Sequence, residues 1–245
     1  MRTKVACAVF TAAAQCLSIA AAIGGELPAL AGDAARLERD QPFASTRVVG
    51  IPEGPLPDKW ELALADIHSE IALLAGCRAR PDQCSSPAAV RFLKIVERAR
   101  LYQGFAKLAV INSGVNAAIE RADIRQPGIG DPWPTALATF TSGRGVCIHF
   151  AIAKYTALRL EGWPSNDLRL VIVWPDGGSE PHMVLAARHN DRWHILDNTR
   201  SAVFIDTKLP NYVPLFVFDH LGARKLAPGR FPALSIISAM SVGVP

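Results

Sequence analysis

Apolar residues in the first half of the chain recur at helical spacing. From residue 58 to residue 75 they fall at i, i+3 and i+4 positions, as an amphipathic helix requires. The same spacing runs over 87–119 and predicts either one helix that bends near Gly104 or two helices in line. A short helix over 135–140 and a longer one over 147–160 follow. The first part of the fold is therefore predicted to be helical.

From residue 168 onward the pattern becomes that of β strands. The run 168–175 is rich in β-branched residues and predicts a central strand. His182 opens a second strand, and Asp197 closes a third after a hairpin turn. A fourth strand is predicted over 213–219, near an edge of the sheet because Pro214 has no N–H to donate. Helices followed by an antiparallel meander predict an α+β fold.

The N terminus has the pattern of a secretory signal. Arg2 and Lys4 precede an apolar run over 5–23, and small residues lead up to Ala31. We expect cleavage near Ala31, so that 1–31 is a signal peptide and the mature protein is periplasmic or secreted. An uncleaved membrane anchor is the alternative, because the run approaches the length of a membrane span.

Length and composition indicate one domain of ordinary size. The chain has 245 residues, half of them hydrophobic. We expect an irregular N-terminal arm over 32–57, one folded domain over 58–226 and a C-terminal tail over 227–245 without an assigned role. Residues 123–134 are rich in proline and glycine and predict a loop within the domain.

Charge gives no sign of a nucleic-acid partner. The net charge is +4, and it falls to +3 when Arg2, Lys4 and Glu26 leave with the signal. The basic residues are scattered and form no cluster interleaved with aromatic residues.

The cysteines divide into three groups. Of the five in the chain, Cys7 and Cys16 lie in the signal. Cys77 and Cys84 lie close together in a polar stretch and are expected to form a disulfide in an oxidising compartment. Cys147 is then left as a thiol. A zinc site needs about four Cys or His ligands at close spacing, and the sequence offers no such group.

Cys147 lies where a thiol becomes a nucleophile. A turn flanked by glycines places it in the first turn of a predicted helix, where the helix dipole stabilises an anion. The alternative is a buried cysteine that only packs a helix. His182 and Asp197 on the following strands favour chemistry, because Cys, His and Asp in this order supply a nucleophile, a base and a group that orients the base.

These segments resemble the bacterial transglutaminase-like cysteine proteinases, a periplasmic branch of the papain-like superfamily. The resemblance covers about residues 60–225. It is carried by VINSGVN at 110–116, DPWPT at 131–135, GRGVC at 143–147 with AIAKY at 151–155, HMVLA at 182–186 and ILDN at 195–198.

The resemblance implies a papain-like, transglutaminase-like core. In it, N-terminal helices and a catalytic helix pack on an antiparallel sheet, with Cys147, His182 and Asp197 as the catalytic triad. Asn116 and Trp133 either support this site or are ordinary packing residues.

Five other histidines compete with His182 for the role of base. His189 lies in a predicted hairpin turn, where we expect it to be exposed, and His68 and His220 lie far from the motif. His194 shares a strand with Asp197 but is expected to point to the opposite face. His149 is two residues from Cys147, so we expect it to cap the helix or line the cleft.

The sequence departs from the family beside the nucleophile. Family members carry acidic residues there that are associated with calcium binding, and this chain has Val146, Ile148 and His149 instead. Calcium needs oxygen ligands, which aliphatic side chains lack. We therefore expect no metal and no cofactor, and no calcium-dependent control.

The leading functional prediction is a cysteine endopeptidase. The resemblance implies that its substrate is the exposed linker of a large surface adhesin, which would connect it to biofilm formation, and that an inner-membrane receptor regulates it. A cell-wall peptide amidase or transglutaminase-type enzyme would use the same three residues. A catalytically silent binding module is the third hypothesis, and the altered calcium positions motivate it.

Overall fold

The computed structural model describes residues 41–44, 48–122, 132–178 and 180–226. The described residues form five α helices and nine β strands. The helices are α1 (Pro55–Ala79), α2 (Pro87–Arg100), α3 (Gly104–Ala118), α4 (Ala136–Ser142) and α5 (Cys147–Leu160). The strands are β1 (Val48–Gly50), β2 (Glu120–Arg121), β3 (Arg144–Gly145), β4 (Leu168–Pro175), β5 (His182–His189), β6 (Arg192–Leu196), β7 (Phe204–Ile205), β8 (Tyr212–Asp219) and β9 (Gly222–Leu226).

Seven of the strands form one antiparallel sheet. Their order is β1-β9-β8-β4-β5-β6-β7, so β4 lies in the middle as its β-branched sequence predicts. The α+β fold with helices on an antiparallel sheet is confirmed. One face of the sheet packs against the helices, and the other face carries a smaller apolar cluster that includes Val171, Trp193 and Val217.

The segment expected to be an irregular arm contains strand β1. Val48–Gly50 pairs with β9 in antiparallel register, and both strands were missed because each is short and has no clear alternation. Helix α1 begins at Pro55, earlier than predicted. Proline is tolerated there because the N–H that it lacks would have no intrahelical partner in the first turn.

The predicted disulfide between Cys77 and Cys84 is present, with the two Cα atoms 4.8 Å apart. Its setting differs from the prediction, because Cys77 lies in the last turn of α1 and only Cys84 lies in the loop that follows. The bridge therefore ties the end of α1 to the start of α2.

The long helical stretch is two helices. Helix α2 ends at Arg100, and α3 starts at Gly104, whose φ of 52° lies in the left-handed region that glycine adopts without strain. A side chain at this position would also collide with the ring of His189 on β5. The break therefore lets the chain pass close to the sheet.

Strand β8 lies inside the sheet, so its expected position near an edge was wrong. It pairs with β9 on one side and with β4 on the other. Pro214 is tolerated for two reasons. Strand β9 pairs only with residues 216–219 of β8, and the β4–β8 register shifts between Ile172 and Val173, where Val173 pairs with Pro214. At such an irregularity the strand pair does not need the hydrogen bond that the N–H missing from proline would donate.

Trp60 anchors α1 to the centre of the domain. Its ring lies 5.7 Å from that of Tyr155 on α5, and its indole N–H donates to the carbonyl of Asp219 at 2.7 Å. Trp133 packs 5.0 Å from the ring of Phe218 and is buried. Trp133 is therefore a core residue.

No helix in the described ranges is long and apolar enough to cross a membrane. The expected signal peptide and the C-terminal tail lie outside the described residues, as does 123–131 of the predicted loop.

Candidate active site

Cys147 is the first residue of α5, as predicted. Its side chain is buried but for 8% of its surface. The first turn of α5 contains no acidic side chain, so no carboxylate there offsets the positive end of the helix dipole. This position favours a thiolate on Cys147.

The turn before Cys147 is fixed from both sides. Gly143 ends α4 with a φ of 68°, and Arg144–Gly145 forms β3, which pairs in parallel with β2. A Cβ atom on Gly145 would lie 2.5 Å from Cβ of His149, so only glycine fits here. The approach of His149 therefore requires Gly145, and the positive φ at the end of α4 favours Gly143.

His149 caps the helix, which is one of the two roles expected for it. Its Nδ1 accepts a hydrogen bond from the backbone N–H of Val146 at 3.3 Å. Burial lowers the pKa of His149, so its neutral form, which can accept this bond, is favoured.

The structure brings Cys147, His182 and Asp197 together. His182 Nε2 lies 2.8 Å from Asp197 Oδ1. The ring of His182 also forms a hydrogen bond with the side chain of Cys147. Because Asp197 occupies Nε2, Nδ1 is the ring nitrogen left for the sulfur.

Burial lowers the pKa of His182, but the hydrogen bonds and charges of Asp197 and Cys147 more than compensate and raise it to about 9. Burial likewise disfavours the ionised form of Asp197, yet His182, Tyr212 and the backbone N–H of Thr199 together hold its pKa well below the ordinary value. At neutral pH the site therefore contains an imidazolium next to a carboxylate.

Two asparagines of α3 hold the segment that follows Asp197. Asn116 Nδ2 donates to the carbonyls of Asp197 at 2.9 Å and Arg200 at 3.1 Å. Asn112 Nδ2 donates to the carbonyls of Arg200 and Ser201 at 3.1 and 3.2 Å. Asn116 thus contacts the backbone of the site, whereas Trp133 does not. Asn112, spaced four residues from Asn116 on the same helix face, was not identified from the sequence although this spacing was visible.

Tyr212 was also missed. Its hydroxyl donates to Asp197 Oδ2 at 2.6 Å. No pattern in the sequence indicated this contact, because it depends on how β8 lies in the sheet.

His194 and His189 pack against other aromatic rings. The ring of His194 lies 5.4 Å from Phe105 and 6.2 Å from His189, and His189 also contacts Trp163. His194 therefore faces α3 rather than Asp197.

The residues beside Cys147 do not fit a calcium ion. Val146 and Ile148 offer no side-chain oxygen, and His149 Nδ1 is used by the helix cap. Within the described ranges, no group of three or more His, Cys, Asp or Glu side chains could hold a metal. Asp131, the carboxylate closest in sequence before Cys147, lies outside those ranges.

Lys154 is a buried cation behind the site. It lies seven residues after Cys147, on the same face of α5, and its side chain is fully buried. Among the described residues its Nζ has no hydrogen-bond partner, and it lies 5.9 Å from the ring centroid of Phe150. Burial lowers its pKa to about 7, although the charge of Asp197 opposes this shift.

A family model of the bacterial transglutaminase-like cysteine proteinases matches residues 67–213, more than half of the chain. No curated protein has a significantly matching sequence. Among solved structures, LapG of Legionella pneumophila is similar, with a TM-score of 0.50 and 20% identity over 77% of this chain and 95% of LapG. This likeness supports the fold.

Two further structures of the same Legionella pneumophila protein are weaker matches. The EGTA-treated form has a TM-score of 0.43 and 26% identity over 61% of this chain and 95% of its own. The calcium-bound form has a TM-score of 0.41 and 25% identity over 61% of this chain and 97% of its own.

The buried charge of Lys154 should make stability depend on pH. Its folded-state pKa of about 7 lies below the ordinary 10.5, so the unfolded state binds more protons between these values and wild-type stability rises with pH there. Lys154→Met should therefore be more stable than wild type below pH 7, by on the order of 2 kcal/mol, and lose this advantage as pH rises toward 10. Denaturant unfolding of both proteins at several pH values measures this difference in the free energy of unfolding. An advantage that stays constant or grows with pH would contradict the assignment.

Proposed function

The chain belongs to the bacterial transglutaminase-like cysteine proteinases, and on that premise we propose that it is an endopeptidase whose catalytic triad is Cys147, His182 and Asp197. The observation that carries the proposal is the buried His182–Asp197 pair beside the thiol of Cys147. A silent binding module would gain nothing from holding an imidazolium and a carboxylate out of water, since charges are costly to bury.

The first step is formation of the nucleophile. Before a substrate binds, Nδ1 of His182 has already taken the proton of the Cys147 thiol. The resulting thiolate–imidazolium pair is the resting state at neutral pH, and the imidazolium and the start of α5 stabilise the thiolate. Asp197 holds the opposite ring nitrogen, which keeps the ring in the orientation and tautomer that present Nδ1 to the sulfur. The absence of acidic side chains in the first turn of α5 assists this step.

The thiolate then attacks the carbonyl carbon of a peptide bond. The negative charge on the carbonyl oxygen is held by backbone N–H groups at the start of α5. His182 gives its proton to the leaving amine, which departs and leaves a thioester on Cys147. Water, deprotonated by His182, hydrolyses the thioester and restores the thiol.

We propose that the substrate is the exposed linker of a large surface adhesin and that the enzyme works in the periplasm. The motif resemblance to the family and the N-terminal pattern of a cleaved signal support both points. An inner-membrane receptor that sequesters the protease is the regulator proposed on the same ground. Release of the adhesin would connect the enzyme to biofilm dispersal.

Cys147→Ala should abolish adhesin release while leaving the fold intact, because the thiol supplies the bond-forming atom. His182→Ala should lower the cleavage rate on the order of 10⁴-fold or more. A strain that lacks the gene is complemented with each variant, and the amount of adhesin that remains on the cell surface is compared. Cleavage rates are measured with the purified variants, with the surface-protein fraction of the deletion strain as substrate.

His194→Ala is the matched control, because it removes a histidine of the neighbouring strand that contacts Phe105 rather than Asp197. It should release the adhesin like wild type. Full complementation by Cys147→Ala would show that the triad assignment is wrong.

Activity should not depend on calcium, because the family's acidic positions are aliphatic or histidine in this chain. Cleavage rate and melting temperature are measured with added calcium and with a chelator, and both should agree within error. Loss of cleavage in chelator that calcium restores would contradict the proposal and would mean that oxygen ligands come from elsewhere in the chain.

A further inference from the structure

Tyr212 is the first residue of β8, and it lies opposite Pro175 at the end of β4. This register carries its hydroxyl to the far side of the Asp197 carboxylate. The hydroxyl donates to Oδ2 at 2.6 Å, while Oδ1 receives His182 Nε2 at 2.8 Å and the backbone N–H of Thr199 at 2.8 Å. Each carboxylate oxygen therefore has its own donors.

The Oδ2 atom depends on this contact. Asp197 is fully buried, so water does not replace a lost donor from the surface. Arg200 Nε lies 3.7 Å from Oδ2, which is too far for a hydrogen bond. Within the described residues, Tyr212 supplies the hydrogen bond that satisfies Oδ2.

The ring of Tyr212 is itself held in place. The guanidinium of Arg200 lies 5.6 Å from its centroid, and the rings of His182 and Phe43 lie 6.2 and 6.3 Å away. Only 7% of the surface of Tyr212 is exposed. Burial and the neighbouring carboxylate raise the pKa of Tyr212, so at neutral pH the hydroxyl keeps the proton that it donates.

We infer that Tyr212 is a positioning residue for catalysis, which locks the rotation of the Asp197 carboxylate so that Oδ1 faces His182. A carboxylate turns about its Cβ–Cγ bond, and a donor on one oxygen fixes where the other points. Tyr212 acts through Asp197 and His182 on the thiol of Cys147 and touches no reacting atom. The inference rests on the proposed triad and adds to it a residue that orients Asp197.

Iodoacetamide tests this without a substrate. It alkylates the thiolate of Cys147, and mass spectrometry of the Cys147 peptide gives the rate. Tyr212→Phe keeps the ring and removes the hydroxyl, so alkylation at neutral pH should slow about tenfold, as expected when a buried charged group loses a hydrogen bond. Tyr155→Phe is the matched control, because it removes a hydroxyl in the aromatic core around Trp60, and its rate should equal that of wild type.

A double-mutant cycle separates positioning from packing. In an Asp197→Ala background the hydroxyl has no carboxylate to orient, so adding Tyr212→Phe should change the rate less than about twofold. If Asp197→Ala fails to fold by thermal melting, His182→Ala serves as the background, because without the imidazole the effect of Tyr212 has no route to the sulfur.

The outcomes are distinct. If wild-type Cys147 reacts no faster than in His182→Ala, the proposed triad itself is wrong. If wild type reacts fast but Tyr212→Phe reacts equally fast, or loses the same factor in both backgrounds, the positioning role is overturned and the triad stands.

Discussion

The hydrogen bond between His182 and Asp197 is the interaction on which the site depends. Burial alone would leave the imidazole neutral, and Asp197, together with Cys147, reverses that effect and raises the pKa of His182 to about 9. A buried charge pair is tolerable only when the remaining polar atoms find partners. The site meets this condition with donors on both oxygens of Asp197.

The rest of the fold brings these groups to one place. The central strands carry His182 on β5 and Asp197 just after β6, and α5 lies across them with Cys147 at its first turn. Helix α3 fixes the segment after Asp197 through the amides of Asn112 and Asn116. The scaffold therefore holds the three proposed catalytic residues on hydrogen-bonded elements, as precise positioning requires.

The elements with strong periodicity could be predicted from the sequence, and so could the proximity of Cys147, His182 and Asp197, because these residues lie in motifs at element ends. Strand β8 was placed wrongly at an edge, since the missing N–H of Pro214 is accommodated by a register shift that no sequence pattern shows. Tyr212 could not be found for a related reason. Its contact with Asp197 joins the start of β8 to the end of β6 across the two strands between them, β4 and β5, and depends on their register. Sequence patterns report only local spacing.

A pH titration of His182 followed by NMR tests the central claim most directly. In the wild-type protein the ring should titrate near pH 9, and in Asp197→Asn its midpoint should fall well below that value, because burial is then opposed only by Cys147. A wild-type midpoint at or below 6.5 would contradict the account, since the imidazolium that is proposed to stabilise the thiolate would be absent at neutral pH.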